Sequence, residues 1–312
     1  ERGMMPHMRV LVAALALAMI AGAQNKKGGG PQPEFIREGQ ALMRQGQREA
    51  ALKIYEAELA KSPDSIPALN ASAIALEFLG RTKEARERFE KAAELASTPA
   101  AKNQQRRYVM MSYAFDGDCA GASRHVQPLI DYWTGVGDAY QQGEMANELA
   151  RVCIDAGDLN TAEKWYRAGT RLGLAEKEIA PDRKALWEFR LEHALARLAA
   201  RRGKAKEAEP HVARAKAILE ANPEMAKQQQ PFFPYLVGYV AFYRGDYAAA
   251  IEALLQANLN DAFIQTLLGE AYEKAGEKEK AIEMYRKAAL TATPNPPGAY
   301  ASRITRAKLA AK

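Results

Sequence analysis

Cysteine is nearly absent from this chain: two residues, Cys119 and Cys153, among 312. That excludes a disulfide-rich scaffold and a four-cysteine zinc site. Histidine is as scarce. His7, His125, His193 and His211 are scattered, and none stands at ligand spacing from another histidine, a cysteine or a carboxylate pair. No metal site is expected. Alternating runs of Val, Ile and Thr are missing, which excludes a sheet. No HExxH, P-loop, GxSxG or CxxC occurs, so the chain is not expected to be an enzyme or to hold a cofactor. Asp116 and Asp118 flank Gly117 without the other ligands of a calcium loop, and read better as caps at a helix start.

Long apolar runs are lacking too, with one exception. Val10–Ile20 follows Arg9 and precedes Ala21-Gly22-Ala23. A charged n-region, an apolar h-region and small residues at a cleavage site stand there in the order of an export signal. Eleven apolar residues are too few to span a bilayer, so residues 1–23 read as a removed signal peptide with an upstream extension, starting at Met8, Met4 or Met5. The expected destination is the periplasm or the outside of a bacterial cell, with no transmembrane segment after cleavage. Losing Glu1, Arg2 and Arg9 takes the net charge from +6 to +5. That surplus suits acidic partners or an anionic envelope surface. No nucleic-acid motif appears, and nucleic acid is not an expected partner.

What the chain has in abundance is helix-forming sequence. It is 48% apolar and 26% charged, rich in Ala, Leu, Glu, Lys and Arg, and its fold class is expected to be all-α. One phrase recurs: a glycine, an alanine five residues on, an aromatic four after that. Gly46-Ala51-Tyr55, Gly80-Ala85-Phe89, Gly157-Ala162-Tyr166 and Gly276-Ala281-Tyr285 all carry it, and the first two are 34 residues apart. A period near 34 marks stacked helix-turn-helix units, none of which buries its apolar face alone.

Residues 24–33, QNKKGGGPQP, read as a disordered linker, and 34–312 as the solenoid. Seven turns fall at Gly46, Gly80, Gly117, Gly157, Gly203, Gly245 and Gly276, spaced 34, 37, 40, 46, 42 and 31 residues apart. Pro128 should kink or shorten the second helix of the third unit, and Pro223 should close the fifth. A last helix, Ala299–Ala310, follows the breaker TPNPPG and should cap the open end.

The phrase resembles the tetratricopeptide repeat, which has a small residue midway in its first helix, a glycine turn, and an alanine and an aromatic in its second. Leu267–Ala289 matches most fully, through Gly269, Tyr272, Gly276, Ala281, Tyr285 and Ala288; the units at Gly117 and Gly203 depart, with Val126 and Val212 in place of the aromatic. The resemblance covers roughly residues 34–290. It implies a right-handed α-α superhelix of about seven repeats, whose first helices line a concave groove holding a peptide or partner protein.

Register then picks out candidate binding residues. Phe232, Tyr235, Tyr239, Phe242 and Tyr243 share one helical face. The turn spacings bring Arg190, His193, Arg197 and Arg201 alongside them, and next Glu144, Asn147, Arg151 and Asp155. On the other side come Phe263, Thr266, Glu270 and Lys274. A basic ridge beside an aromatic one suits apolar or proline-rich side chains flanked by carboxylates. Alternatively, the aromatics pack on neighbouring first helices and the arginines are solvated or paired with glutamates. Asn147 and Arg151 faintly resemble the carboxylate-holding set of chaperone-binding repeat proteins. Cys119 and Cys153 fall at one edge of adjacent units, placed either to pair or to stay as buried thiols. The expected function is a non-enzymatic scaffold or assembly factor in the cell envelope that binds a protein or peptide. The alternative is a carrier, for instance of a glycan stacking on the aromatic ridge.

Overall fold

The structure, a computed structural model, describes residues 32–310. The expected signal peptide, and all of the expected linker but Gln32 and Pro33, lie outside them. From Glu34 onward the chain is helical, and no strand occurs among the described residues. The first four units pair α1 (Glu34–Arg44) with α2 (Arg48–Lys61), α3 (Ile66–Leu79) with α4 (Thr82–Leu95), α5 (Pro99–Asp116) with α6 (Cys119–Val136), and α7 (Ala139–Ala156) with α8 (Leu159–Leu174). The fifth is α9 (Pro181–Arg201) with α10 (Ala205–Ala221). A short helix α11 (Pro223–Gln229) and a 3₁₀ turn (Gln230–Phe232) precede the sixth, α12 (Phe233–Arg244) with α13 (Tyr247–Leu255). The seventh is α14 (Ala262–Lys274) with α15 (Lys278–Ala288), followed by α16 (Pro296–Ala310).

The turns explain the periodic glycine. Gly157 sits at φ 92°, left-handed space that L residues avoid, and ends α7; Asp158 then caps α8, its carboxylate accepting from the Thr161 amide at 3.0 Å. The Gly117-Asp118 and Gly245-Asp246 pairs work the same way, so one dipeptide closes a helix and opens the next.

In the first and seventh pairs the small residue of one helix meets the aromatic of the other. A Cβ on Gly39 would lie 2.3 Å from the Tyr55 ring, and one on Gly269 would lie 2.7 Å from Tyr285. Sixteen residues separate glycine and aromatic in both pairs, and Gly238 meets Leu254 at the same interval. The absent side chain leaves room for the ring, and the ring fills the gap between helices.

Two details differ from the sequence expectation. Pro128 neither ends nor shortens α6, which runs on to Val136. Pro128 and Arg124 are exposed, so the carbonyl left without its helical donor faces water, while Val126, Leu129 and Ile130 bury the other side. Pro223 likewise opens α11 instead of only closing α10, because proline's fixed φ suits a first helical turn.

The two cysteines are joined. The disulfide Cys119–Cys153 links the first residue of α6 to the last turn of α7, with Cα atoms 4.7 Å apart, and staples the third unit to the fourth.

Candidate functional site

A solenoid repeat touches its sequence neighbours, so contacts between distant units show where its inner surface closes. α16 packs on α14 and α15, and also on α5 and α7. These first helices therefore face one shared interior, with α16 in it. The walls also meet each other. The Arg151 guanidinium of α7 lies 4.3 Å from the centre of the Phe263 ring of α14, and Phe263 in turn lies 4.5 Å from Tyr300 of α16.

The register read from turn spacings appears as real contacts. Arg190 pairs with Glu144. His193 lies 5.4 Å from the Tyr235 ring, and Arg197 lies 5.8 Å from that of Tyr239. Arg201 Nη1 donates to the Tyr243 hydroxyl at 3.1 Å. The basic and aromatic ridges do lie side by side.

They are spent on each other rather than offered to solvent. Tyr239 is fully buried, and Tyr235, His193 and Arg197 nearly so. Arg197 has no carboxylate at ion-pair distance among the described residues. Its Nη2 donates to the Tyr166 hydroxyl at 3.1 Å and its Nη1 weakly to Tyr235 at 3.5 Å. Aromatic faces of Tyr166, Tyr235 and Tyr239 surround it, a neutral cradle that stabilises a cation without neutralising it. Burial, with Arg197 adjacent, holds the His193 imidazole well below its usual range, so it stays uncharged. Arg151 bonds Asp155 at 3.1 Å one turn on.

The remaining candidates are also engaged within the fold. Phe232 belongs to the 3₁₀ turn, not to α12, and its carbonyl faces His193 Nε2 at 3.3 Å. Phe242 stacks edgewise on Tyr243 and Tyr247. Asn147 turns toward the α8 backbone, where its Oδ1 would lie 2.5 Å from any Cβ at Gly169. Thr266 donates to the Ala262 carbonyl at 2.7 Å. Alanine at Tyr235 or Tyr239 would therefore remove core packing, and neither variant probes a surface cleanly.

What sequence reasoning missed is the occupant. The Tyr300 hydroxyl donates to Glu270 at 2.9 Å, Arg303 Nη2 to the Asp155 carbonyl at 3.2 Å, and Lys308 Nζ to Glu273 at 2.6 Å. The Arg306 guanidinium lies against Gly80. The only signal available beforehand was the i, i+3 series Tyr300, Arg303 and Arg306, whose destination no local pattern states. Two open clefts lie elsewhere, one of about 430 Å³ beside Arg167, Arg171 and Leu191, the other of about 530 Å³ beside Phe35, Ile54 and Lys61. Among the described residues, no group of three or more His, Cys, Asp or Glu side chains is placed to hold a metal, and no helix is long and apolar enough to cross a membrane.

Residues 36–102 and 235–299 match the tetratricopeptide repeat family model. Among solved structures, the chain is similar to a tetratricopeptide repeat protein from Parabacteroides merdae, with 17% identity, 82% of this chain and 91% of that one covered, and a TM-score of 0.44. It is also similar to a Rap protein complexed with competence and sporulation factor, with 15% identity, coverage of 89% and 75%, and a TM-score of 0.49. The apo form of RapI gives 10% identity, coverage of 89% and 98%, and a TM-score of 0.49. No curated protein matches the chain. The unmatched middle, residues 103–234, holds the two units that lack the aromatic and the longest turn spacing. The chain is an all-α solenoid that carries tetratricopeptide repeats toward both of its ends.

Proposed function

We propose that this protein is a non-enzymatic scaffold that binds a protein or peptide as a helix along its inner face. One observation carries the reading: a helix, α16, already lies against α5, α7 and α14, held by a Glu270 carboxylate and an Asp155 main-chain carbonyl from units far apart in sequence. The face thus has the width and the hydrogen-bonding groups to hold a helical segment. Export to the bacterial envelope is part of the proposal, supported by the n-region, h-region and small residues of 1–23 and by the Cys119–Cys153 bond, since disulfides persist in oxidising compartments. A glycan stacking on the aromatic ridge is not favoured, because Tyr235 and Tyr239 are buried.

The binding reading is tested by panning a display library of helical peptides against the full chain and cross-linking the enriched sequences. Cross-links should fall on α5, α7 and α14; cross-links confined to second helices would overturn it. Location has a separate test, in which thiol trapping in the native host should find Cys119 and Cys153 oxidised and sequencing should find an N-terminus near Gln24.

A further inference from the structure

α16 is basic, and its seat answers it with hydrogen-bond acceptors and one ion pair, Lys308 with Glu273, although Arg48 lies near Arg306. Its charged residues are all basic, Arg303, Arg306 and Lys308, with no Asp or Glu from Pro296 to Ala310. The inner face supplies acceptors in the same order along the helix. Glu270 takes the Tyr300 hydroxyl, the Asp155 carbonyl takes Arg303, and Glu273 takes Lys308, whose hydrogen bond draws that carboxyl below its ordinary range. Asp116 opposes the drop that burial causes in Arg306. Tyr300 adds the apolar anchor by packing its ring on Phe263.

The seat is nonetheless imperfect. Ser302 Oγ, Arg303 Nε and Asp155 Oδ1 are buried without a hydrogen-bond partner among the described residues. Unpaired buried polar atoms cost free energy, so this helix is held less firmly than its contact surface suggests. The connection that carries it, residues 289–295, has no helix of its own.

We propose that α16 is an internal occupant that gates the inner face, and that the external partner is a basic helix repeating its aromatic-x-x-basic-x-x-basic spacing, that of Tyr300, Arg303 and Arg306. The inference rests on the binding reading above and adds both the partner's chemistry and a competition. A tethered helix competes at high effective concentration, so the face is closed at rest. A free helix enters when it binds more tightly or when α16 is loosened.

The probe is a fluorescein-labelled peptide of residues 295–310, titrated into the full chain and into a full-length Tyr300→Ala/Arg303→Ala variant, with fluorescence anisotropy as the readout. The variant should bind it roughly tenfold or more tightly than the unsubstituted chain, because the competing closed population is reduced. A peptide bearing Arg303→Glu and Arg306→Glu should bind neither. A second measurement does not rely on the variant: hydrogen exchange of the unsubstituted chain at millimolar peptide should show α16 amides losing protection while α5 and α7 keep theirs. Equal affinity for both chains with α16 protection unchanged would overturn the gate and leave the binding face standing. Equal binding of the charge-reversed peptide would overturn the assigned partner chemistry. Binding to neither chain would overturn the gate and the helix-binding reading together.

Discussion

The guanidinium of Arg48, at the first position of α2, donates to the main-chain carbonyl of Ala289, 241 residues downstream. The same side chain reaches the Thr291 carbonyl at 3.4 Å and the Phe78 carbonyl at 3.2 Å, and lies 5.1 Å from the centre of the Phe78 ring. One arginine thus ties the first unit to the second and to the segment leaving the seventh. An open solenoid frays from its ends, but this one has its ends joined. Arg48→Met keeps the apolar stem and removes the donors, leaving carbonyls unpaired at the closure at a cost of about 1–3 kcal/mol. Hydrogen exchange should speed up in residues 34–61 and 289–295 and stay unchanged in α7 and α8. A uniform change across the chain would contradict this closure.

The Cys119–Cys153 bond closes a loop of 34 residues between two neighbouring units. Tethering a loop of that length restricts the unfolded chain and stabilises the fold by about 3–4 kcal/mol in the chain-entropy account. Both sulfurs are buried in the native fold, so reduction requires local opening. Paired Cys119→Ser and Cys153→Ser changes should lower the denaturant midpoint by a corresponding amount. Adding reductant to that double variant should lower it no further, whereas the unsubstituted chain should lose stability under strong reduction.

Legibility was uneven for physical reasons. A solenoid's local geometry repeats, so Gly39 with Tyr55 and Gly269 with Tyr285 stand at one interval, and a phase carried from one unit to the next placed Arg190 on Glu144 and Arg201 on Tyr243. The long-range path does not repeat. Curvature accumulates from small rotations at each unit, and no residue states how far the sum turns α7 toward α14. The Arg151–Phe263 contact and the seat of α16 depend on that sum, so the ridges were visible while the choice between an open groove and aromatics packed on neighbouring helices was not. Pro223 failed for a local reason: a proline that ends one helix also suits the first turn of the next.

Gly269 and Gly135 should respond oppositely to alanine. A Cβ at Gly269 would sit 2.7 Å from Tyr285 Cε1 and 3.3 Å from the Ala281 carbonyl. The ring cannot swing aside freely, because its hydroxyl donates to Glu273 at 2.8 Å. Gly269→Ala should cost about 1–3 kcal/mol through overpacking. Among the described residues a Cβ at Gly135, inside α6, would meet nothing within 4 Å, and Gly135→Ala should stabilise by about 0.5–1 kcal/mol. Two thermal melts decide the matter, and a loss at both sites would refute the packing account.

Glu77 makes stability depend on pH in an unusual direction. Its side chain is buried near the end of α3, and burial lifts its carboxyl to about 8, with the Ser112 hydroxyl and Arg86 opposing and Asp116 assisting the rise. Between about 4.5 and 8 the folded chain keeps a proton there that the unfolded chain has already released. The unfolded state binds fewer protons in that window, so this group's contribution to stability falls as pH rises through it and levels off above about 8. Each pH unit costs about 1.4 kcal/mol, and the whole window on the order of 4 kcal/mol. Glu77→Gln keeps the shape and the neutral form at every pH. The variant should match the unsubstituted chain near pH 4.5 and exceed it in denaturant midpoint at pH 8.5. Parallel stability curves for the two chains across that range would show that Glu77 ionises freely in the fold.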